Sequence, residues 1–199
     1  MNTLKGRKAG QHGFTMIELI VVIVILGILA AVALPRFTSV QRDARIAKLN
    51  AARGAVQAAA GIIHGTSLVR GGVQDTAACP AGGGTATNSA GAAGTVCTES
   101  GVVATAFTYP SSAALGAAQP GIIGAAGLSS VFSPTLAQLN TDGYGATVVG
   151  RVTTISVIGG TGTAGAVNAQ TNATCSFTYT APAVANAAPV ISAVNTAGC

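Results

Sequence analysis

A single carboxylate stands at the edge of an apolar run. Phe14-Thr15-Met16-Ile17-Glu18 leads into LIVVIVILGILAAVAL, residues 19–34, which carry no charged or polar side chain. A carboxylate inside a membrane-spanning helix costs roughly 2.5–3.5 kcal/mol, and less near an interface. Such a charge persists if it stays solvated at the headgroup level or if a cation meets it. Cleavage after Gly13 would supply a cation, the free amine of Phe14. That amine would lie one helical turn from Glu18, or belong to a neighbouring molecule.

Other residues able to do chemistry are few. Once His12 is set aside with the first 13 residues, His64 is the remaining imidazole. Ser67 and Asp75 lie near it, but geometry rather than closeness in sequence makes a catalytic triad, and no enzyme is expected. Asp75, Glu99 and Asp142 are too few and too scattered for a calcium site. The glycines Gly82-Gly83-Gly84 lack the Lys-Ser/Thr that a phosphate loop requires. No metal and no cofactor are expected.

Four cysteines, Cys79, Cys97, Cys175 and Cys199, form no C-x-x-C pair, which argues against zinc. An even count in a Gly-rich polar segment beyond an apolar run suggests two disulfides in an oxidising compartment. Three pairings are possible. Cys79–Cys97 with Cys175–Cys199 closes the shortest loops, each contributing roughly 3 kcal/mol.

The elements that must position these residues follow from composition and period. Phe14 to Leu34 is 21 residues, about 31 Å as a helix, matching a hydrocarbon core of roughly 30 Å. A basic start and an apolar run allow a cleaved signal (Ala31-Val32-Ala33 resembles its site), a permanent anchor, or a leader cut before the run. Gly27 and Pro35 are weak points of the helix. Beyond Pro35, Phe37, Val40, Ala44, Ala47, Ala51, Ala55, Ala58 and Ile62 recur at helical spacing. Arg42, Arg45 and Arg53 lie on the other side with Ile46, Leu49, Val56 and Ile63, so both faces can be buried. The arginines are expected to be solvated or to pair between molecules. Gly61 and Gly65 bracket the expected helix end.

Residues 66–98 read as a flexible loop. Val102–Tyr109, Ala146–Ile158, Thr174–Thr180 and Pro189–Asn195 read as strands, and Ser112–Leu128 as a short helix broken at Pro120-Gly121. The expected fold is α+β: a long N-terminal helix whose C-terminal half packs on a small antiparallel sheet. The expected divisions are a leader over 1–13, a helix over 14–64 with 14–34 apolar, and a head over 65–199. The net charge of +5 falls to +2 without the first 13 residues. The nearly neutral head encodes no nucleic-acid-binding face.

Gly13-Phe14-Thr15-Met16-Ile17-Glu18, the apolar run and Pro35 together resemble the N-terminus of type IV pilins and type II secretion pseudopilins. The resemblance covers about residues 1 to 60. It implies a pilin-like fold and cleavage between Gly13 and Phe14 by a membrane prepilin peptidase, with N-methylation of Phe14. It implies that Glu18 pairs with the Phe14 amine of a neighbouring subunit, and that the stretch between Gly27 and Pro35 can lose helical order in a filament. Cys175-Ser-Phe-Thr-Tyr, Ala188-Pro189-Val-Ile and Gly198-Cys199 are similar to the C-terminal loop of mannose-sensitive haemagglutinin-type pilins. The stretch from Tyr109-Pro110 through Ala125-Ala-Gly-Leu-Ser129 is similar too, as is the helix segment Leu34-Pro-Arg-Phe. The loop with Cys79 and Cys97 departs from that pattern.

The implied function is a structural subunit of a surface filament for adhesion or motility. Its partners would be copies of itself, the prepilin peptidase and the assembly machinery of the inner membrane. It would span that membrane once before assembly and be extracellular afterwards. Alternatives are a secretion pseudopilin and a monomeric membrane-anchored adhesin. Counting basic residues does not favour a cytoplasmic N-terminus: Lys5, Arg7 and Lys8 precede the span, and Arg36, Arg42, Arg45 and Lys48 follow it. The cysteines and the resemblance place the head outside.

Overall fold

Helix α1 runs over 55 residues, Met16–Arg70, in a computed structural model that describes residues 14–159 and 174–199. The chain divides within α1 into two units, Met1–Gln41 and Arg42–Cys199. In the first unit, Met16–Leu34 is long and apolar enough to cross a membrane, and none of it is buried. The helix continues through Gly27 and Pro35. Pro35 has no N–H to give the carbonyl of Ala31, so the helical ladder lacks a bond there.

In the second unit, α1 buries Leu49, Ala52, Val56, Ala59, Ile63 and Ser67, at spacings of three and four. The alanine stripe expected from the sequence is a different one, and Ala44, Ala47, Ala51, Ala58 and Ile62 are exposed. Both stripes have helical period. Side-chain size selects between them, because each buried methylene contributes about 0.8 kcal/mol and Leu, Val and Ile carry more of them than Ala. The helix also ends later than Gly61 and Gly65 suggest. It stops where Gly71 and Gly72 take φ of 60° and 77°, the left-handed geometry that closes a helix.

Among the described residues, seven strands and two short helices follow α1 in this unit. β1 (Gly94–Thr98), β2 (Gly101–Ala106) and β3 (Tyr109–Pro110) form one antiparallel sheet. β1 lies inside the stretch expected to be loop. The sheet is followed by α2 (Ile122–Ala125), a single turn in place of the broken helix expected over Ser112–Leu128. α3 (Leu136–Thr141) is held by a capping box: the Thr135 hydroxyl takes the Gln138 N–H, and the Gln138 side chain takes the Thr135 N–H at 2.9 Å.

β4 (Tyr144–Val149), β5 (Val152–Val157), β6 (Ser176–Thr180) and β7 (Val190–Ile191) form a second antiparallel sheet in that order. The stretch Ala146–Ile158 is thus a hairpin turning at Gly150-Arg151, with Val149 opposite Val152. β7 begins directly after Pro189, at the sheet edge.

Ala146, Ile155 and Phe177 lie in one cross-strand row and share a core with Leu49, Ala52 and Val56 of α1, Ile122 of α2 and Leu139 of α3. The observed architecture is α+β, a long helix with small antiparallel sheets. Tyr179 links the two sheets by donating its hydroxyl proton to the Pro110 carbonyl at 2.6 Å.

Candidate assembly segment

The first described residues cap the apolar helix. The Thr15 hydroxyl accepts from the Glu18 N–H at 3.3 Å, and the Thr15 carbonyl takes the N–H groups of Glu18 and Leu19. Thr15 therefore holds one of the donors that a helix start leaves unpaired. Glu18 stands in the first turn, where a carboxylate is favoured by the helix dipole. Its side chain is exposed, as is Phe14. No hydrogen bond or ion pair engages the Glu18 carboxylate among the described residues. Gly13 and the rest of residues 1–13 lie outside the described residues. The segment thus presents an unscreened apolar cylinder, with one available anion within a turn of Phe14.

Further along α1, three cations take roles that periodicity alone does not reveal. Arg45 donates from Nη1 to the main-chain oxygen of Cys199 at 2.7 Å. Lys48 donates from Nζ to the Asp142 carbonyl at 2.7 Å and lies 4.3 Å from the centre of the Tyr144 ring. Arg53 donates from Nε to the Ser192 carbonyl at 2.8 Å. These side chains are neither merely solvated nor free for a neighbour. They tie α1 to the tail, to the end of α3 and to the segment after β7. Their spacing carries a signal, since Arg45, Lys48 and Arg53 share the face that carries Leu49 and Val56. Arg42 remains exposed.

Cys79 is bonded to Cys97, and Cys175 to Cys199. The second bond fixes the tail whose main-chain oxygen Arg45 holds. His64, Ser67 and Asp75 do not converge. The His64 ring stacks on Tyr109 at 4.0 Å between centroids, with Nδ1 at 2.8 Å from the Thr108 hydroxyl. Ser67 is buried, its hydroxyl unpartnered among the described residues. Both oxygens of Asp75 accept from Arg70 Nη1 at 2.8 Å. Burial pushes the Tyr144 and Tyr179 phenols up, the latter strongly and with Tyr109 as a second cause. Neither arrangement poises a proton donor near neutral pH.

Residues 8–34 match the family model for the prokaryotic N-terminal methylation motif. Over 47 residues the chain is 51% identical to the type IV narrow pilus major component PilA5 of Thermus thermophilus. That match covers 24% of this chain and 40% of the relative, so the two correspond over less than half of either length. No solved structure matches the chain significantly.

Proposed function

We propose that this chain is a type IV pilin, a structural subunit of a type IV pilus and not an enzyme, a reading supported by its methylation segment and its partial likeness to a pilus component. The observation that carries the reading is the apolar helix Met16–Leu34, none of it buried, next to one available carboxylate. A helix apolar on every side needs lipid or other helices around it. In a single subunit lipid can serve; in a filament the same surface meets its own copies.

Cleavage between Gly13 and Phe14 by a prepilin peptidase gives Phe14 a free amine, which is then N-methylated. Glu18 accepts the Phe14 amine of a neighbouring subunit as the helix leaves the membrane. Gly27 and Pro35 mark the stretch where helical order can yield. The exposed stripe of Ala44, Ala47, Ala51 and Ala58 lets adjacent helices approach closely, while the opposite face is occupied by the head. Before assembly the chain crosses the inner membrane once, and afterwards the head lies outside the cell, serving adhesion or motility. Its two disulfides suit that location.

The deciding experiment is the intact mass of the chain recovered from sheared surface filaments. A mature chain starting at N-methylated Phe14 supports the reading. Recovery only in membranes, with filaments lacking the chain, counts against it.

A further inference from the structure

The segment from Gly54 onward contains five charged residues, Arg70, Asp75, Glu99, Asp142 and Arg151. Arg70 and Asp75 form an ion pair, to which Asn88 adds a hydrogen bond from Nδ2 at 2.8 Å. Asp142 takes a hydrogen bond from the Ser129 hydroxyl at 2.6 Å, with the Lys48 ammonium on its main-chain oxygen. The other two are opposite in sign. Neither the Glu99 carboxylate nor the Arg151 guanidinium is engaged in a hydrogen bond or ion pair among the described residues.

Each of the two stands in an apolar setting. Glu99, in the β1–β2 turn, lines a groove of about 770 Å³ together with Ile62, Ile63, Pro80 and Phe132. Arg70 also lines it, but its charge is matched by Asp75, which leaves Glu99 as the unmatched charge of the groove. Arg151 sits at the tip of the β4–β5 hairpin between Val149 and Val152, which are 71% and 36% exposed. Val190, 66% exposed, belongs to the same cross-strand row through Val152 and Thr180. The tip is a cation with an apolar margin, complementary to an anion with apolar walls.

We propose that the β4–β5 hairpin tip of one copy docks in the Glu99 groove of another, with Arg151 pairing to Glu99. The occupant is a second copy of this chain, since both halves of the contact are present on one molecule. Two different patches meeting in this way make a heterologous joint, which propagates as an open helical array wherever the rotation between copies does not close a ring. That is the geometry a filament needs. The inference rests on the subunit reading and adds to it a head-to-head contact away from the apolar helix. Charge pairing here sets register and selects partners, while the valines and the groove walls supply the buried area.

Charge reversal tests it in cells carrying only the variant chain. Glu99→Arg and Arg151→Glu each place like charges across the joint. Each is expected to lower sheared filament yield about tenfold relative to membrane-held mature subunit, a change of about one decade in association. The double variant Glu99→Arg/Arg151→Glu restores the pair with its signs exchanged and should recover to within about twofold of the native chain. Both disulfides in the membrane-held variants report that the head has folded. Native yield from either single variant, or a double variant no better than the singles, overturns the contact while leaving the subunit reading intact. Absence of the native chain from filaments overturns the subunit reading, and the contact with it.

Discussion

Arg45 and Cys199 are 154 positions apart and joined by a hydrogen bond of 2.7 Å. The same Cys199 is bonded to Cys175 at the start of β6. The tail is therefore held twice, covalently to the sheet and by a charge-assisted hydrogen bond to the helix. Lys48 and Arg53 make the same kind of link to the Asp142 and Ser192 carbonyls. For Lys48 and Arg53 the acceptors are internal carbonyls, which suit a nearly neutral head: these cations reach polar backbone and need no carboxylate to be desolvated with them.

Each clamp should therefore contribute measurably to stability. A hydrogen bond from a charged donor is worth about 1.5–3 kcal/mol when well shielded, and these are partly exposed, so about 1–2 kcal/mol is expected for Arg45→Ala or Arg53→Ala. Denaturant midpoints of the mature chain in detergent measure it. Arg45→Lys should recover little, because the shorter side chain stops short of the point from which Arg45 Nη1 reaches Cys199. No loss from either alanine variant would show that water replaces the clamps freely.

Gly143 is bound to Lys48 by space as well as by sequence. Its φ is +78°, and a Cβ there would collide with Lys48 Nζ. Gly143→Ala should thus cost the left-handed penalty of about 1–2 kcal/mol and also push Lys48 off the Asp142 carbonyl. In Lys48→Ala the steric conflict is gone. The double variant should be less destabilised than the two single losses added, by roughly 1 kcal/mol. Strict additivity in a denaturant cycle would mean that Lys48 does not occupy that space.

Tyr179 gives the head a pH dependence at the alkaline end. Its phenol is neutral, buried and donating to Pro110, with a folded-state pKa raised by burial above the ordinary value. A raised folded pKa means that the folded state holds the proton more tightly. The stabilisation is complete below the unfolded pKa of about 10 and is lost as pH climbs above it. Tyr179→Phe should cost about 1–3 kcal/mol near neutral pH, by leaving the Pro110 carbonyl unpaired. It should also flatten the loss of stability above about pH 10. An alkaline limb unchanged in the variant would assign that loss to other groups, Tyr144 among them.

Several elements are legible in the sequence for reasons visible in single residues. β6 shows because Cys175, Phe177 and Tyr179 alternate with Ser176 and Thr178, and that alternation is the buried face of a strand. The β4–β5 segment reads as strand, but Gly150-Arg151 does not stand out as a two-residue turn among so many glycines. β1 is hidden for a related reason. Thr95 and Val96 carry its β-branched signal, but the glycines and alanines around them dilute it, and pairing with β2 decides the matter. The capping box Thr135-Leu-Ala-Gln138 is a readable helix start that composition masks. The helix end is ambiguous because Gly61, Gly65 and Gly71 look alike in sequence, while φ separates only the last. The choice of buried face on α1 rests on side-chain volume, which period alone does not carry. In the assembly segment, the Glu18 signal is local and plain, whereas the clamps depend on which carbonyls the fold brings within reach.

Removing the tail disulfide should cost more than removing the loop disulfide. The bridged separations are 24 and 18 residues, and chain entropy assigns each about 3 kcal/mol. Cys175, however, is fully buried within the main core, while Cys79 and Cys97 lie outside that cluster. Cys175→Ser/Cys199→Ser therefore also places a hydroxyl in the core and frees the acceptor held by Arg45. Its midpoint should fall below that of Cys79→Ser/Cys97→Ser in the same denaturant. The reverse order would mean that the loop closed by Cys79–Cys97 carries more of the head's stability than its packing suggests.

Glu18 separates a solvated headgroup carboxylate from an assembly partner. Its side chain has no bonded partner within the described chain, so its replacement breaks no internal contact. Glu18→Leu should leave membrane insertion intact or improve it, because the penalty for a carboxylate in lipid disappears. Cleavage after Gly13 should also survive. Assembly should fail or slow sharply, because the incoming Phe14 amine then enters an apolar surrounding without its counter-charge, where an unpaired charge is most costly. Glu18→Gln keeps hydrogen bonding without charge and should be intermediate at best. The measurement is filament yield against membrane-inserted mature subunit, in cells whose only copy carries the substitution. Normal cleavage with filaments lost is the expected result. Native filament yield from Glu18→Leu would falsify the pairing and leave Glu18 as a residue tolerated because water still reaches it.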